Sequence, residues 1–143
     1  MQTSQAIAGR QVPGGRMKNK ELARIFERMA DILEYQGDTR FRINAYRRAA
    51  RAVEELTEDI AQVAQEGNLR KLPGIGEAIE KKILDYLETG SMKKYQELRG
   101  QVPDAVIDML EVPGLGPRTL AALRAKAGVE NLEDLERVLS EGR

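Results

Sequence analysis

The chain has 143 residues, 41% of them hydrophobic and 32% charged, with 23 basic and 23 acidic side chains and neither cysteine nor histidine. That length suits one compact domain or two small lobes, and the missing residue types exclude disulfides, thiolate nucleophiles, imidazole bases and ordinary zinc sites. No stretch approaches the roughly 20 apolar residues that span a bilayer and no apolar signal core opens the chain, so the expectation is a soluble, cytoplasmic protein without membrane contact.

Residues 1–16, MQTSQAIAGRQVPGGR, lack an apolar period and contain a Pro-Gly-Gly break, which predicts a flexible leader with folding from Met17. Leu22, Ile25, Phe26, Met29, Ile32 and Leu33 then recur at helical spacing, a first amphipathic helix ended by Gly37. A second helix carries Ala45, Ala49, Ala52, Val53 and Leu56. A short third one, begun by Thr57 with Glu58 and Asp59 in its first turn, runs to Gly67. Further helices are expected up to Gly90, after a Ser91 cap, after Pro103, up to Gly128 and after an Asn131 cap. No run alternates apolar with polar residues at period two, so the predicted class is all-α.

Charge is unevenly placed despite the zero sum. Arg40, Arg42, Arg47, Arg48 and Arg51 lie between Asp38 and Glu54 with no acid among them, whereas residues 101–143 hold five basic and eight acidic side chains. A locally basic surface of this kind can hold phosphates, although long-range attraction is weaker than for a basic protein.

The chain also repeats itself. Leu72-Pro73-Gly74-Ile75-Gly76 returns forty residues later as Val112-Pro113-Gly114-Leu115-Gly116, each copy followed by an amphipathic helix. Pro then Gly suits a type II turn, in which Gly takes the positive φ, and the second Gly opens a helix. A phosphate can approach such a backbone closely, meeting the unpaired N–H groups and the positive end of the helix dipole. A clamp of this type holds backbone and reads no bases. A single copy is also a plain connector between helices; two copies in register, each preceded by apolar anchors (Leu69 and Leu72, Leu110 and Val112), favour the clamp.

The paired motif resembles the helix-hairpin-helix family. The stretch from Phe41 to Ala50, then KLPGIG, KKILDYLETG and VPGLGPRTL, is similar to the N-terminal lyase and fingers region of family X (polymerase beta-like) DNA polymerases, over about residues 17 to 140. The resemblance implies two small helical lobes, 17–100 with the first motif and 101–143 with the second. It implies non-sequence-specific binding of gapped, nicked or duplex DNA, at nucleoid DNA in the cytoplasm. It also implies polymerase or nuclease domains elsewhere in a natural full-length chain. Lys82 falls on the family's Schiff-base lysine for removal of 5′-deoxyribose phosphate, and Tyr46 on the tyrosine beside the phosphate pocket. The phosphate-binding set expected on this basis is Arg42, Arg47, Arg70, Gly74, Ile75, Gly76, Lys94, Gly114, Leu115, Gly116, Arg118 and Thr119. No cofactor is required, but the carbonyls of Arg70, Leu72 and Ile75, and of Leu110, Val112 and Leu115, are implied to hold a Na+ or K+ in each hairpin. The chain departs from the family at Ala78, where a phosphate-binding lysine is expected, and at Phe41, which replaces a base-stacking histidine. An amine attacks an aldehyde only when neutral, so Lys82 needs its pKa lowered; neighbouring cations such as Arg42, Lys81 or Arg70 act in that direction, and a phosphate bound close by pushes the other way. Three readings stay open: a gap-binding lobe with lyase chemistry, a purely binding module, and a helical protein-interaction domain. The Asp-x-Asp signature of a polymerase site is missing from these residues, so nucleotidyl transfer is not expected of them.

Overall fold

The computed structural model describes residues 12–141, and every described element is helical. In chain order these are α1 (Val12–Tyr35), α2 (Arg40–Glu54), α3 (Ile60–Gln65), a 3-10 turn (Leu69–Lys71), α4 (Glu77–Thr89), α5 (Lys93–Arg99), α6 (Asp104–Leu110), α7 (Pro117–Ala127) and α8 (Leu132–Ser140). Residues 1–11 of the expected leader lie outside the described residues. Its last residues do not: α1 starts at Val12 and takes in Pro13, a residue tolerated in a first helical turn because its missing N–H has no partner there anyway.

α1 is the spine. It packs against α2, α3, α5 and α7, and Leu22, Phe26, Met29, Ile32 and Leu33 along it are fully buried, as their spacing requires. A four-residue connection folds α2 back along α1, and Phe26 stacks on Tyr46 at 6.2 Å between ring centroids. Small residues on α2, Ala49 and Ala50, are buried in that seam. The side of the pair outside the seam is held by charge. Arg47 donates to Glu27 at 2.7 Å, Asp31 at 3.1 Å and Glu34 at 2.8 Å.

Two polar contacts tie the remaining elements to the spine. The buried Asn19 side chain donates to the Glu58 carbonyl at 2.6 Å and accepts from the Ile60 N–H at 2.9 Å, closing the start of α3. The Tyr86 hydroxyl on α4 donates to Glu21. The expected caps need two corrections. α3 is capped by Asp59, whose carboxylate accepts from the Ala61 N–H, and not by Thr57, which lies upstream of its start. α5 is capped by Met92 and not by Ser91; the Lys93 N–H at its start is satisfied by Asp85, reaching across from α4. Leu56, expected within the second helix, lies beyond its end at Glu54. The Asn131 cap holds, accepting from the Asp134 N–H at 2.8 Å.

The repeat forms one backbone shape twice. Gly74 and Gly114 have φ of +85° and +83°, and the Ile75 and Leu115 N–H groups donate to the carbonyls of Leu72 and Val112 at 3.2 and 3.1 Å. These are type II turns with Pro and Gly in the two central positions. Gly74 has a second reason to be glycine: a Cβ there would lie 3.2 Å from the Arg48 Cβ of α2, whereas one at Gly114 would meet nothing. The second hairpin unit sits against the spine through Arg28–Glu111 at 3.4 Å and Arg118–Glu34 at 3.4 Å. The buried side chains of the two units form one continuous core. No described helix is long and apolar enough to cross a membrane.

Two stability outcomes follow from this packing, both readable by urea denaturation. Arg47→Met should cost about 2 kcal/mol, because it takes from Glu27, Asp31 and Glu34 the one cation they share and leaves Asp31 to Arg28 and Glu34 to Arg40 and Arg118, while Arg48→Met should stay within about 0.5 kcal/mol as an exposed site with no ion pair among the described residues. Gly114→Ala should cost about 1–2 kcal/mol for a left-handed backbone conformation, and Gly74→Ala more, because Arg48 must also give way.

Candidate nucleic-acid interface

Each hairpin delivers its chain into a helix whose first N–H groups are open. Gly76 and Gly116 are the N-caps of α4 and α7 and neither supplies a side-chain cap. A Cβ at either would project into empty space, so an incoming group meets only backbone. The first helical bonds reach back to the Gly76 and Gly116 carbonyls from Glu80 and Leu120. This leaves the preceding N–H groups, including those of Arg118 and Thr119, for an external acceptor such as a phosphate oxygen. The Ile75 and Leu115 carbonyls accept no hydrogen bond from the described residues, whereas those of Leu72 and Val112 already accept the turn N–H. Each hairpin thus keeps one unpaired carbonyl at its tip.

The two mouths differ electrically. Glu77 and Glu80 stand in the first turn of α4, with Glu77 3.8 Å from Lys81. The first turn of α7 has no acid and carries exposed Arg118, which reaches Glu34 on α1. For an anion, the second mouth is the more favourable.

A separate cationic cluster lies where the start of α2 meets α4 and α5. Lys82 is half-buried on α4 beside the buried stripe of Ile79, Ile83 and Tyr86. Burial first, then repulsion from Lys94 and Arg42, holds its ammonium below the ordinary lysine range, against a smaller pull upward from Glu97. Tyr46 reaches the same place from the core. Burial raises its hydroxyl above the ordinary phenol range, and nearby Arg42 only partly offsets that. The hydroxyl lies beside the Arg42 guanidinium. Sequence reading thus identifies Lys82, Lys94, Arg42 and Tyr46, and the fold brings them together.

It does not bring all the expected residues there. Arg47 points to the carboxylates of α1 instead, and Arg70 is exposed at the 3-10 turn before the first hairpin. Two acids of this cluster went unread: Asp38, 2.7 Å from Arg42, and Glu97, 3.7 Å from Lys94. Their i,i+4 and i,i+3 spacings were the available signal. Arg48 and Arg51 also went unassigned individually, though both border the first hairpin at Pro73 and Gly74. At the rim, Phe41 is 77% exposed, an aromatic surface next in sequence to Arg42.

Comparison with known proteins agrees with this architecture. Residues 17–92 match the model of the Helix-hairpin-helix domain, and residues 106–140 that of the SAM-like Helix-hairpin-helix tandem. The chain is 31% identical over 120 residues to DNA polymerase/3'-5' exonuclease PolX of Bacillus subtilis (strain 168), covering 84% of this chain and 20% of that protein. It is 32% identical over 119 residues to DNA polymerase lambda of Arabidopsis thaliana, covering 82% of this chain and 22% of that protein. The chain therefore spans about a fifth of the length of these curated relatives. With two Pro-Gly-x-Gly turns of matching geometry, each opening a helix, and a family model covering more than half its length, the chain belongs to the helix-hairpin-helix domain family, in the form that is similar to family X DNA polymerases.

Proposed function

We propose that this chain binds DNA through its backbone, without sequence preference, and favours gapped or nicked duplexes that present a 5′-phosphate. The observation that carries this reading is the pair of hairpins with open N–H groups at Gly76 and Gly116. Each hairpin holds one strand's phosphates. A Na+ or K+ held by the carbonyls of Arg70, Leu72 and Ile75, or of Leu110, Val112 and Leu115, would add positive charge beside them. The terminal 5′-phosphate goes to Arg42 and Lys94, and exposed Phe41 offers a face for an unpaired base. Asp38 and Glu97 already accompany these cations, so the phosphate replaces internal partners, and the net gain per contact is modest. The names of the two relatives, both DNA polymerases, support the DNA-binding part of this reading.

A second reading adds lyase chemistry, favoured by the lowered pKa of the half-buried Lys82 amine. The neutral amine attacks the ring-opened sugar aldehyde and water leaves as the imine forms. Loss of a proton from the adjacent sugar carbon then breaks the C3′–O bond and releases the downstream strand with its phosphate. Hydrolysis of the remaining imine returns the lysine and frees the unsaturated sugar phosphate. Tyr46 acts here as a positioning residue for Arg42.

Fluorescence anisotropy with a gapped duplex tests the first reading. Gly76→Ala and Gly116→Ala should keep the fold and each weaken binding roughly three- to tenfold, because the new methyl occupies the space through which the phosphate approaches. Unchanged affinity in both would reduce the hairpins to connectors. For the second reading, borohydride should trap a covalent adduct on incised abasic DNA that disappears in Lys82→Ala and persists in Lys81→Ala. On the free protein, NMR titration of 13C-methylated lysines should place Lys82 below the ordinary lysine range. Lys94→Met should move it back up, since a nearby positive charge is lost. Trapping should accordingly accelerate as pH rises and reach its plateau at a lower pH than an unperturbed lysine allows.

A further inference from the structure

Of the five arginines on α2, three are held by carboxylates: Arg40 by Glu34, Arg42 by Asp38, and Arg47 by Glu27, Asp31 and Glu34. The guanidinium groups of Arg48 and Arg51 make no ion pair or hydrogen bond with any described residue. These two share one face of α2, three residues apart, and that face lies against the first hairpin. Gly74 approaches it so closely that a Cβ there would sit 3.2 Å from the Arg48 Cβ. Between them runs a cleft of about 260 Å³, lined by Arg48, Arg51, Ala52, Glu55, Pro73 and Gly74. Ala52 and Pro73 give its lining apolar surface, and Arg48, Arg51 and Glu55 give it two cations and one acid.

We propose that this cleft is a second phosphate site of the first hairpin unit, taking an internal phosphodiester of a DNA strand, with the sugar resting on Ala52 and Pro73. Two guanidiniums supply fork-shaped donors suited to phosphate oxygens. The site is separate from the pocket around Lys82. At a rise of 1.5 Å per residue, Arg48 and Arg51 lie roughly 9 and 14 Å along α2 from Arg42, and at about 100° per residue they project from other sides of the helix. The cleft also differs from the hairpin mouth, where the space beside Gly76 is open and no Arg48 stands near. The first unit can thus hold a strand at an internal phosphate while the Lys82 pocket holds a terminal one. This inference rests on the DNA-binding reading above.

The test is anisotropy over a salt series, using gapped duplexes with a 5′-phosphate or a 5′-hydroxyl at the gap. Losing one phosphate contact lowers the magnitude of the log–log salt slope by about 0.9. The double variant Arg48→Gln/Arg51→Gln should show that change, with roughly tenfold weaker binding at low salt and an unchanged ratio of 5′-phosphate to 5′-hydroxyl affinity. Ala52→Leu, which enlarges a lining side chain and keeps both arginines, should weaken binding at least threefold. Slope and affinity equal to wild type in the double variant would overturn the site, as would loss of the 5′-phosphate preference alone. Wild-type affinity in Ala52→Leu would overturn the cleft and leave only diffuse surface charge. A wild-type protein that binds neither duplex at low salt would instead remove the DNA-binding reading itself.

Discussion

The row of carboxylates on α1 decides what the arginines of α2 can do. Glu27, Asp31 and Glu34 recur at four- and three-residue spacing, so they form a strip on one side of the helix, and Arg47 closes onto all three. That contact sets the registry of α2 on α1 outside the Phe26–Tyr46 seam. It also sorts the cations: Arg40 and Arg47 close on the strip, whereas Arg48 and Arg51, turned away from it, meet no carboxylate among the described residues. Helical periodicity does the sorting, since Arg47 and Arg48 are adjacent in sequence and about 100° apart around the axis.

The strip is not uniform electrostatically. Burial raises Asp31 despite its contacts with Arg47 and Arg28. Burial also pushes Glu34 upward, but hydrogen bonds from Arg47 and Arg40 more than offset it, and the carboxyl ends below its ordinary value. The signs of the two contributions to stability are opposite. Glu34, lowered in the fold, stabilises above its unfolded value and loses that contribution as pH falls through the lowered one. Asp31, raised in the fold, opposes folding when ionised and is relieved as pH falls. Glu34 also meets Arg118 at the mouth of the second hairpin, so one side chain joins the α1–α2 pair to the second unit.

The hairpins show how one backbone shape acquires two characters. Their φ values and turn hydrogen bonds coincide, because Pro fixes one central residue and Gly accepts the other. Their surroundings do not. The first turn packs on α2 at Arg48 and opens a helix led by two glutamates; the second meets no neighbour at Gly114 and opens a helix with Arg118 and no acid. The first unit therefore relies for positive charge on side chains brought from other elements, and the second carries its own.

The sequence by itself determined the helices and the turns. Apolar residues at helical spacing from Leu22 to Leu33 marked the face that α1 buries. The repeated Pro-Gly-x-Gly marked both turns, because few other pairs of residues satisfy those dihedral angles. The Asn131 cap was also legible, being a local hydrogen bond; the starts of α3 and α5 were not, because Asp59 competes with Thr57 nearby and the partner of the Lys93 N–H comes from another helix. The resemblance to family X polymerases identified Lys82, Lys94, Arg42 and Tyr46, and only the packing of α2, α4 and α5 put them within electrostatic reach of one another. The fate of each arginine on α2 was a tertiary decision too. Residue type gives all five the same charge and the same reach, but Arg40 and Arg47 turn toward the α1 carboxylates, Arg42 meets Asp38 of the connection, and Arg48 and Arg51 turn to the first hairpin, an orientation that follows from burying Phe26, Tyr46, Ala49 and Ala50 together.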